Sequence, residues 1–367
     1  MAKIGVTELY PELALHPYYI VAPPYSRFSA GIKVLHLLCH ALNRRGQQAY
    51  LLILPDMPSG VDVMGPDLLT PRLTQGIIDA HKEQGRTPVV VYPETIRGNP
   101  MNAPLVVRYL LNEPGLLGGD RTFAPDEIMV PYSEVLAQTE EQKSSVLFIP
   151  VSDTRIFRPP PPGTLRQGSA YYAMKYKQRH VASFKLPEPD SIEITFAQSP
   201  EELAEIFRRV DKFYCYEATS TALDAGLCGC PVISMPNEHL AAPIGAAEMG
   251  TAGHAWGNTP ENVARAKATV GLVFEHYQES LRRIDGQLGS LIAQTQDRAT
   301  QTGYVTPLRS PLARRHGAIL FVASILASFR SSVWRREVSG FLPNGWRLLR
   351  RRGVSGILRR IRRGTVG

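Results

Sequence analysis

The stretch "YCYEATSTALDAGLCGCPVISMPN" (residues 214–237) decides how the chain is read. An apolar run, residues 213–216, breaks at Glu217 and three small hydroxyl residues, Thr219, Ser220 and Thr221. Small apolar residues then lead through Gly229, Cys230 and Pro231 into a second apolar run, residues 232–235. This predicts strand, helix, strand, with the hydroxyls opening the helix and Asp224 one turn inside it. Helix N-termini present unpaired N–H groups and the positive end of the helix dipole, which suits phosphate. A carboxylate one turn in can accept the hydroxyls of a ribose. Ala225 and Gly226 keep the helix slim, and Gly229 permits the tight turn that follows. An ordinary capped strand–helix–strand unit with no ligand would show the same pattern.

Upstream, the same alternation recurs. "YYIVAP" (18–23), "AYLLIL" (49–54), "PVVVYPE" (88–94), "EIMVPYSE" (127–134) and "SVLFIP" (145–150) read as strands. "SAGIKVLHLLCHALNRRG" (29–46) reads as a helix with Ser29 as N-cap and Gly46 as stop, and "APLVVRYLLN" (103–112) as a second helix. Four consecutive prolines in "PVSDTRIFRPPPPGTLRQG" (150–168) stiffen the chain without burying it, which marks a linker. Past it, "SIEITFA" (191–197), "KFYCY" (212–216) and "PVISMP" (231–236) are strands; "PEELAEIFRRV" (200–210) and "TALDAGLCG" (221–229) are helices; residues 261–295 form one or two polar helices. Continuous apolar strands alternating with helices predict parallel sheets covered on both faces. The expected fold is α/β, two Rossmann-like domains facing a cleft: residues 1–150, a linker 151–168, residues 169–307, then a tail 308–367. Ligands in such folds sit outside the carboxyl ends of strands.

A chain of 367 residues exceeds one ordinary core, and 44% hydrophobic with 20% charged residues fits a globular protein. Four cysteines make no disulfide framework at this length and read as buried thiols in a reducing compartment. No basic segment followed by an apolar one opens the chain, so no signal peptide is expected. The net charge of +8 is unevenly placed. From Leu308 onward there are 14 Arg, no Lys and one acid, a charge of +13, which leaves −5 on the rest. In the tail, Trp334, Phe341, Leu342, Trp346, Ile357 and Ile361 alternate with Arg clusters. That pattern fits an interfacial helix on anionic lipid. A nucleic-acid arm would not need so many large apolar residues, so no nucleic acid is expected as partner; a solvated, disordered tail is the third reading. "GAILFVASILASF" (317–329) is apolar but reaches only about two-thirds of a membrane span.

Residues 216–237 resemble the donor-site segment of GT-B-fold glycosyltransferases of bacterial cell-surface polysaccharide biosynthesis, of the O-antigen and capsule type. Many of these carry an acid, then Thr or Ser, then "EA", then a small residue and "GxPVI". Residues 29–46 resemble their first loop and helix, and "YPETIRGNPMNAPLVVRYLLNEPG" (92–115) resembles another segment of the same proteins. The resemblance covers most of residues 17–275. It implies that the C-terminal domain holds a nucleotide sugar, with Asp224 standing where the family has the acid that contacts the ribose. Tyr216 stands at the position of the family's first acid, with Glu217 one residue later. Thr219, Ser220 and Thr221 are the candidates for the pyrophosphate, and Glu217 for the donor sugar. Enzymes of this fold commonly place a cation early in the second domain against the diphosphate, where it stabilises the charge building on the leaving nucleotide. In "AYYAMKYKQRH" (170–180) Lys175 or Lys177 would serve; a solvated charged strand is the alternative.

The loop carrying Ser29 and Gly31 lets backbone approach a phosphate or a sugar closely, or merely caps the helix in which Lys33 lies. Glu94 closes a strand, where it could act as general base on an acceptor hydroxyl. His36 competes, but its apolar helix face suits a packed core residue. Asn99 suits a turn, and Asn99 and Arg108 are weaker acceptor candidates. No Asp-x-Asp motif appears, and no Gly-x-Gly-x-x-Gly follows the first strand, which argues against a metal-dependent transferase and against a dehydrogenase. The resemblance, with these absences, implies a metal-independent, hexosyltransferase-like enzyme. It is expected to need no cofactor beyond its nucleotide-sugar substrate, to act on a glycan or lipid-linked glycan acceptor, and, from its tail, to be peripheral on the cytoplasmic face of the membrane. The alternative is a non-catalytic binding protein of the same fold, tethered to membrane or nucleic acid by its basic tail.

Overall fold

The computed structural model describes residues 16–304 apart from 28, 55–63, 66, 181–183, 196, 239 and 241–244, together with 308, 309 and 312. The basic tail from 313 onward, on which the membrane reading rests, lies outside the described residues. Contacts divide the chain into two compact units. The first comprises the described parts of residues 1–24, 39–129 and 294–367; the second comprises residues 25–38 and 130–293.

The first sheet is built from β1 (Tyr18–Ala22), β2 (Ala49–Ile53), β3 (Val89–Pro93), β4 (Leu105–Leu110) and β5 (Ile128–Pro131). Their order is β2-β1-β3-β4-β5. β1 runs parallel to β2 and β3, and β3 to β4, with Ile20 opposite both Leu51 and Val91. Parallel strands cannot be joined by a hairpin, and the helices α1 (Ala30–Arg44) and α2 (Gln75–Glu83) stand in two of the crossovers. Tyr19, Val21, Leu52, Ile78, Val90, Tyr92 and Val106 pack into one buried cluster.

The second sheet holds β6 (Ser169–Tyr172), β7 (Ile192–Glu193), β8 (Lys212–Cys215), β9 (Val232–Ser234) and β10 (His254–Trp256), in the order β10-β9-β8-β6-β7 and parallel throughout. Its helices are α3 (Glu140–Lys143), α4 (Met174–Arg179), α5 (Pro200–Arg209), α6 (Thr221–Leu227), α7 (Ala246–Met249), α8 (Pro260–Thr269) and the thirty-residue α9 (Val273–Thr302). α5 shows how closely sequence specifies a helix. Ser199 and Glu202 form a reciprocal capping box, Pro200 fills the first turn, and Arg208 and Arg209 sit in the last turn, where the dipole favours cations. Phe157, Phe207, Phe213, Leu227, Val232 and Val273 form its main core. The four cysteines are free and buried. Burial pushes Cys39, Cys228 and Cys230 up to about 12 and Cys215 well above the usual thiol value.

The α/β architecture with two parallel sheets is as the sequence predicts, with local corrections. The helix expected over residues 103–112 is strand β4. Every residue of "LVVRYL" is buried, as an inner strand covered on both faces requires. Residues 146–150 are buried, and no part of 145–150 forms a strand. Leu147 donates its N–H to the Pro131 carbonyl, and the Phe148 N–H is then taken by the Gln287 side chain. β7 is shorter than "SIEITFA" suggested, because the Gln198 side chain accepts the N–H of Thr195. Helices α2, α3, α4 and α7 and strand β10 have no counterpart in the sequence reading.

His16 closes the first unit at the C-terminal end of α9. Its Nδ1 accepts the Thr87 N–H (3.0 Å), so the ring proton sits on Nε2, facing Thr300 Oγ1 at 3.2 Å. The Thr300 hydroxyl donates onward to the Gln296 carbonyl, and the Gln296 side chain bonds both backbone groups of His16. Burial first, then Arg86, holds His16 below the ordinary histidine value. The unfolded chain takes up this proton more readily than the folded one, so stability is fully present above about pH 6.5 and falls as pH drops below it. We expect the urea midpoint to decline from about pH 7 to about pH 5, and to decline less steeply in His16→Asn. Equal slopes in the two proteins would show that His16 does not contribute.

Candidate functional site

Because β6, β8 and β9 are parallel and in register, with Tyr172 beside Cys215 and Cys215 beside Ser234, their carboxyl ends deliver three loops to one edge of the second sheet. Backbone bonds lace that edge. The Tyr216 N–H donates to the Tyr172 carbonyl (3.0 Å), and the Met235 N–H to the Cys215 carbonyl (2.7 Å). Asn237 Nδ2 donates to the Tyr216 carbonyl at 2.8 Å. Glu217 is buried there, accepting the Tyr176 N–H on Oε1 at 3.4 Å. Thr219, Ser220 and Thr221 follow on the same edge, half-buried, with Thr219 Oγ1 accepting the Thr221 N–H at 3.2 Å. Thr221 begins α6, as predicted. Gly226 and Gly229 serve the purposes read from the sequence. A Cβ on Gly226 would stand 3.2 Å from Val273, and Gly229 has φ +72° with Arg166 packed against it.

Asp224 is 8% exposed and points into a polar cluster built wholly within the second unit. Ser152 Oγ donates to Asp224 Oδ1 at 2.6 Å, and Tyr277 donates its hydroxyl to the Ser152 carbonyl at 2.7 Å. Lys33 donates to the Val151 carbonyl at 3.4 Å and attracts both Asp224 and Asp153. Burial raises Asp224 to about 6, against the pull of Lys33 and the Ser152 hydrogen bond. The ammonium of Lys33 is itself lowered by burial. Ser29 and Gly31 are half-buried at the start of α1, where the Ser29 carbonyl accepts the Lys33 N–H. His36 is fully buried edge-on to Tyr25.

α4 carries the two lysines. Lys177 pairs with Glu193 at 2.8 Å and lies over the rings of Tyr171 and Phe184, 5.6 and 5.4 Å from their centroids. The side chain of Lys175 lies outside those described.

Glu94, Asn99 and Arg108 belong to the first unit. Glu94 follows the carboxyl end of β3, buried, with Oε2 accepting the Leu111 N–H at 3.0 Å. Burial raises it to about 7, against the Leu111 and neighbouring backbone donors and Arg108. Gly119 packs so closely that a Cβ on it would lie 2.1 Å from the Glu94 carbonyl oxygen, and its φ is +77°. Asn99 exchanges two hydrogen bonds with the backbone of Ala103, the turn its sequence context suggested. Arg108 is fully buried on β4. It grips Glu127 at 2.8 and 3.0 Å and donates to the carbonyls of Pro93, Ile96 and Gly98. It thereby pins the loop that carries Glu94.

Sequence reasoning missed Ser152 and Tyr277 and did not connect Lys33 to Asp224. No local signal marks them, since Ser152 lies 72 residues from Asp224 and 125 from Tyr277. Among the described residues no group of His, Cys, Asp and Glu could hold a metal ion, and no helix is long and apolar enough to cross a membrane.

No protein-family model matches this chain, and no curated protein matches it. Among solved structures it is similar to WaaG, a glycosyltransferase involved in lipopolysaccharide biosynthesis (TM-score 0.36, 12% identity, covering 77% of this chain and 99% of that one). It is also similar to the spinosyn rhamnosyltransferase SpnG complexed with thymidine diphosphate (0.35, 13%, 75% and 96%). A third likeness is to the glycosyltransferase SnogD from Streptomyces nogalater (0.34, 13%, 78% and 99%).

Proposed function

We propose that the protein is a GT-B-type glycosyltransferase that moves a sugar from a nucleotide donor to a lipid-linked or polysaccharide acceptor. One observation carries the reading. In the second unit a buried carboxylate, Asp224 of α6, lies within the field of the Lys33 ammonium of α1, and the entry of α6 is lined by three hydroxyl residues at the carboxyl edge of a parallel sheet. A nucleoside diphosphate asks for that combination: an acceptor for the ribose hydroxyls, and donors and positive charge for the phosphates. In this reading Asp224 takes the ribose. Thr219, Ser220, Thr221 and the backbone at Gly31 take the pyrophosphate, and Glu217 faces the donor sugar. Lys175 and Lys177 meet the charge on the departing diphosphate; Lys177 would exchange its bond to Glu193 for one to phosphate. Asp224→Ala and Thr221→Val should each weaken nucleoside-diphosphate binding, measured calorimetrically, by about 1.5–3 kcal/mol with the fold intact. Unchanged affinity in both would remove the site from this helix.

Glu94 is the proposed general base on the acceptor hydroxyl, with Ser29 on the acceptor side and Asn99 and Arg108 acting through the loop they tie down. A base works ionised, so transfer should rise with pH through about 7 and level off above it. Glu94→Gln should abolish transfer and spare donor binding; loss of both together would make Glu94 a donor or structural residue.

The basic tail is proposed to hold the enzyme on the inner face of the membrane, where a lipid-linked acceptor resides. Each Arg near an anionic surface is worth roughly 1 kcal/mol, and the attraction weakens with salt. Removing residues from Ser331 onward should release the protein from anionic liposomes in a pelleting assay, without loss of activity on a short soluble acceptor. Continued pelleting would move the anchor elsewhere, residues 317–329 first.

A further inference from the structure

We propose that Ser152 is a positioning residue of the nucleotide site: it fixes the orientation of the Asp224 carboxylate and, with Lys33, makes nucleotide binding proton-linked. The inference deepens the donor-site reading above and rests on it. Ser152 is itself held. Its carbonyl accepts the Tyr277 hydroxyl of α9 at 2.7 Å, and the neighbouring Val151 carbonyl accepts Lys33 Nζ of α1 at 3.4 Å. The segment is thus fastened from two helices while its hydroxyl points to a third, meeting Asp224 Oδ1 at 2.6 Å. That bond occupies one oxygen and leaves Oδ2 to accept a ligand hydroxyl.

The charged and titratable groups facing Asp224 are few. Lys33 from α1 favours the ionised form. Asp153 shares the attraction of Lys33 and is itself paired with Arg155 at 2.8 Å. Tyr277 from α9 and Cys228 at the end of α6 are both held neutral, mainly by burial. Support for the carboxylate therefore comes from one hydroxyl and one ammonium, against burial that raises it to about 6. A ribose offers two hydroxyl donors, and only the ionised carboxylate is acceptor-only at both oxygens. Nucleotide should select the ionised form, so its affinity falls as pH drops below Asp224's titration, and each bound nucleotide displaces a proton there.

Two measurements on the full chain test this. Carbon-13 NMR of the Asp224 carboxyl, without ligand, follows its titration. Calorimetry with uridine, thymidine, guanosine and adenosine diphosphates follows affinity against pH. In Ser152→Ala, with folding verified by circular dichroism, the NMR midpoint should rise by about one pH unit. Affinity should fall about tenfold further at low pH than near pH 8. Ser152→Thr, which retains the hydroxyl, should restore both. An NMR midpoint equal to wild type, or affinity lost equally at every pH, overturns the proposal. If the midpoint moves but wild type binds none of the four nucleotides at any pH, the coupling of Ser152 to Asp224 stands and the donor-site reading falls.

Discussion

Parallel pairing is the constraint on which the rest depends. A parallel strand cannot turn straight back, so each connection must cross over the sheet before the next strand begins. Every strand then releases its chain at the same edge. In the second unit that rule alone collects Ala173, the residues 216–220 and the residues 235–238 beside one another, although they are scattered over more than sixty positions. The chemistry of the candidate site follows from which side chains occupy those exits. The strands themselves are apolar filling, buried nearly throughout.

The interior holds ionisable groups in two contrasting ways. Arg108 and Glu127 solve burial by mutual satisfaction: two contacts join them, and backbone carbonyls take the remaining guanidinium donors. Removing one partner of such a pair strands a charge, which makes the pair architectural. Glu94 and Asp224 are buried as deeply but are given less compensation. Both are pushed upward by burial, to about 7 and about 6. Carboxyl groups kept close to the point of ionising are the kind found where protons or ligands are exchanged. The contrast separates two ways of holding a buried ionisable group within one fold.

Much of this was legible in the sequence. The unit from β8 through α6 to β9 was readable because its signals are local: an apolar run, hydroxyls at a helix start, Gly229 at a turn. "LVVRYL" misled because a continuous apolar run satisfies the period of a helix and of a doubly covered strand alike. What separates them is the β-branched Val106 and Val107 and the long-range partner Glu127 that makes Arg108 tolerable inside. "SVLFIP" failed in the opposite sense, since strand composition forms no ladder once a side chain, here Gln287, captures the N–H. The polar frame around Asp224 was out of reach. Ser152, Lys33 and Tyr277 are ordinary residues in their own neighbourhoods, and only the folded chain brings them together.

The buried thiols have a practical consequence. With ionisation suppressed and access closed, Cys39 in the first unit and Cys215, Cys228 and Cys230 in the second are poor nucleophiles in the native state. Alkylation must wait for the backbone around each thiol to open. Labelling rates, resolved by peptide, therefore act as clocks for local opening, one in the first unit and three in the second, with no engineered probe. A ligand that stabilises the second unit alone would slow its three clocks and leave that of Cys39 as an internal reference.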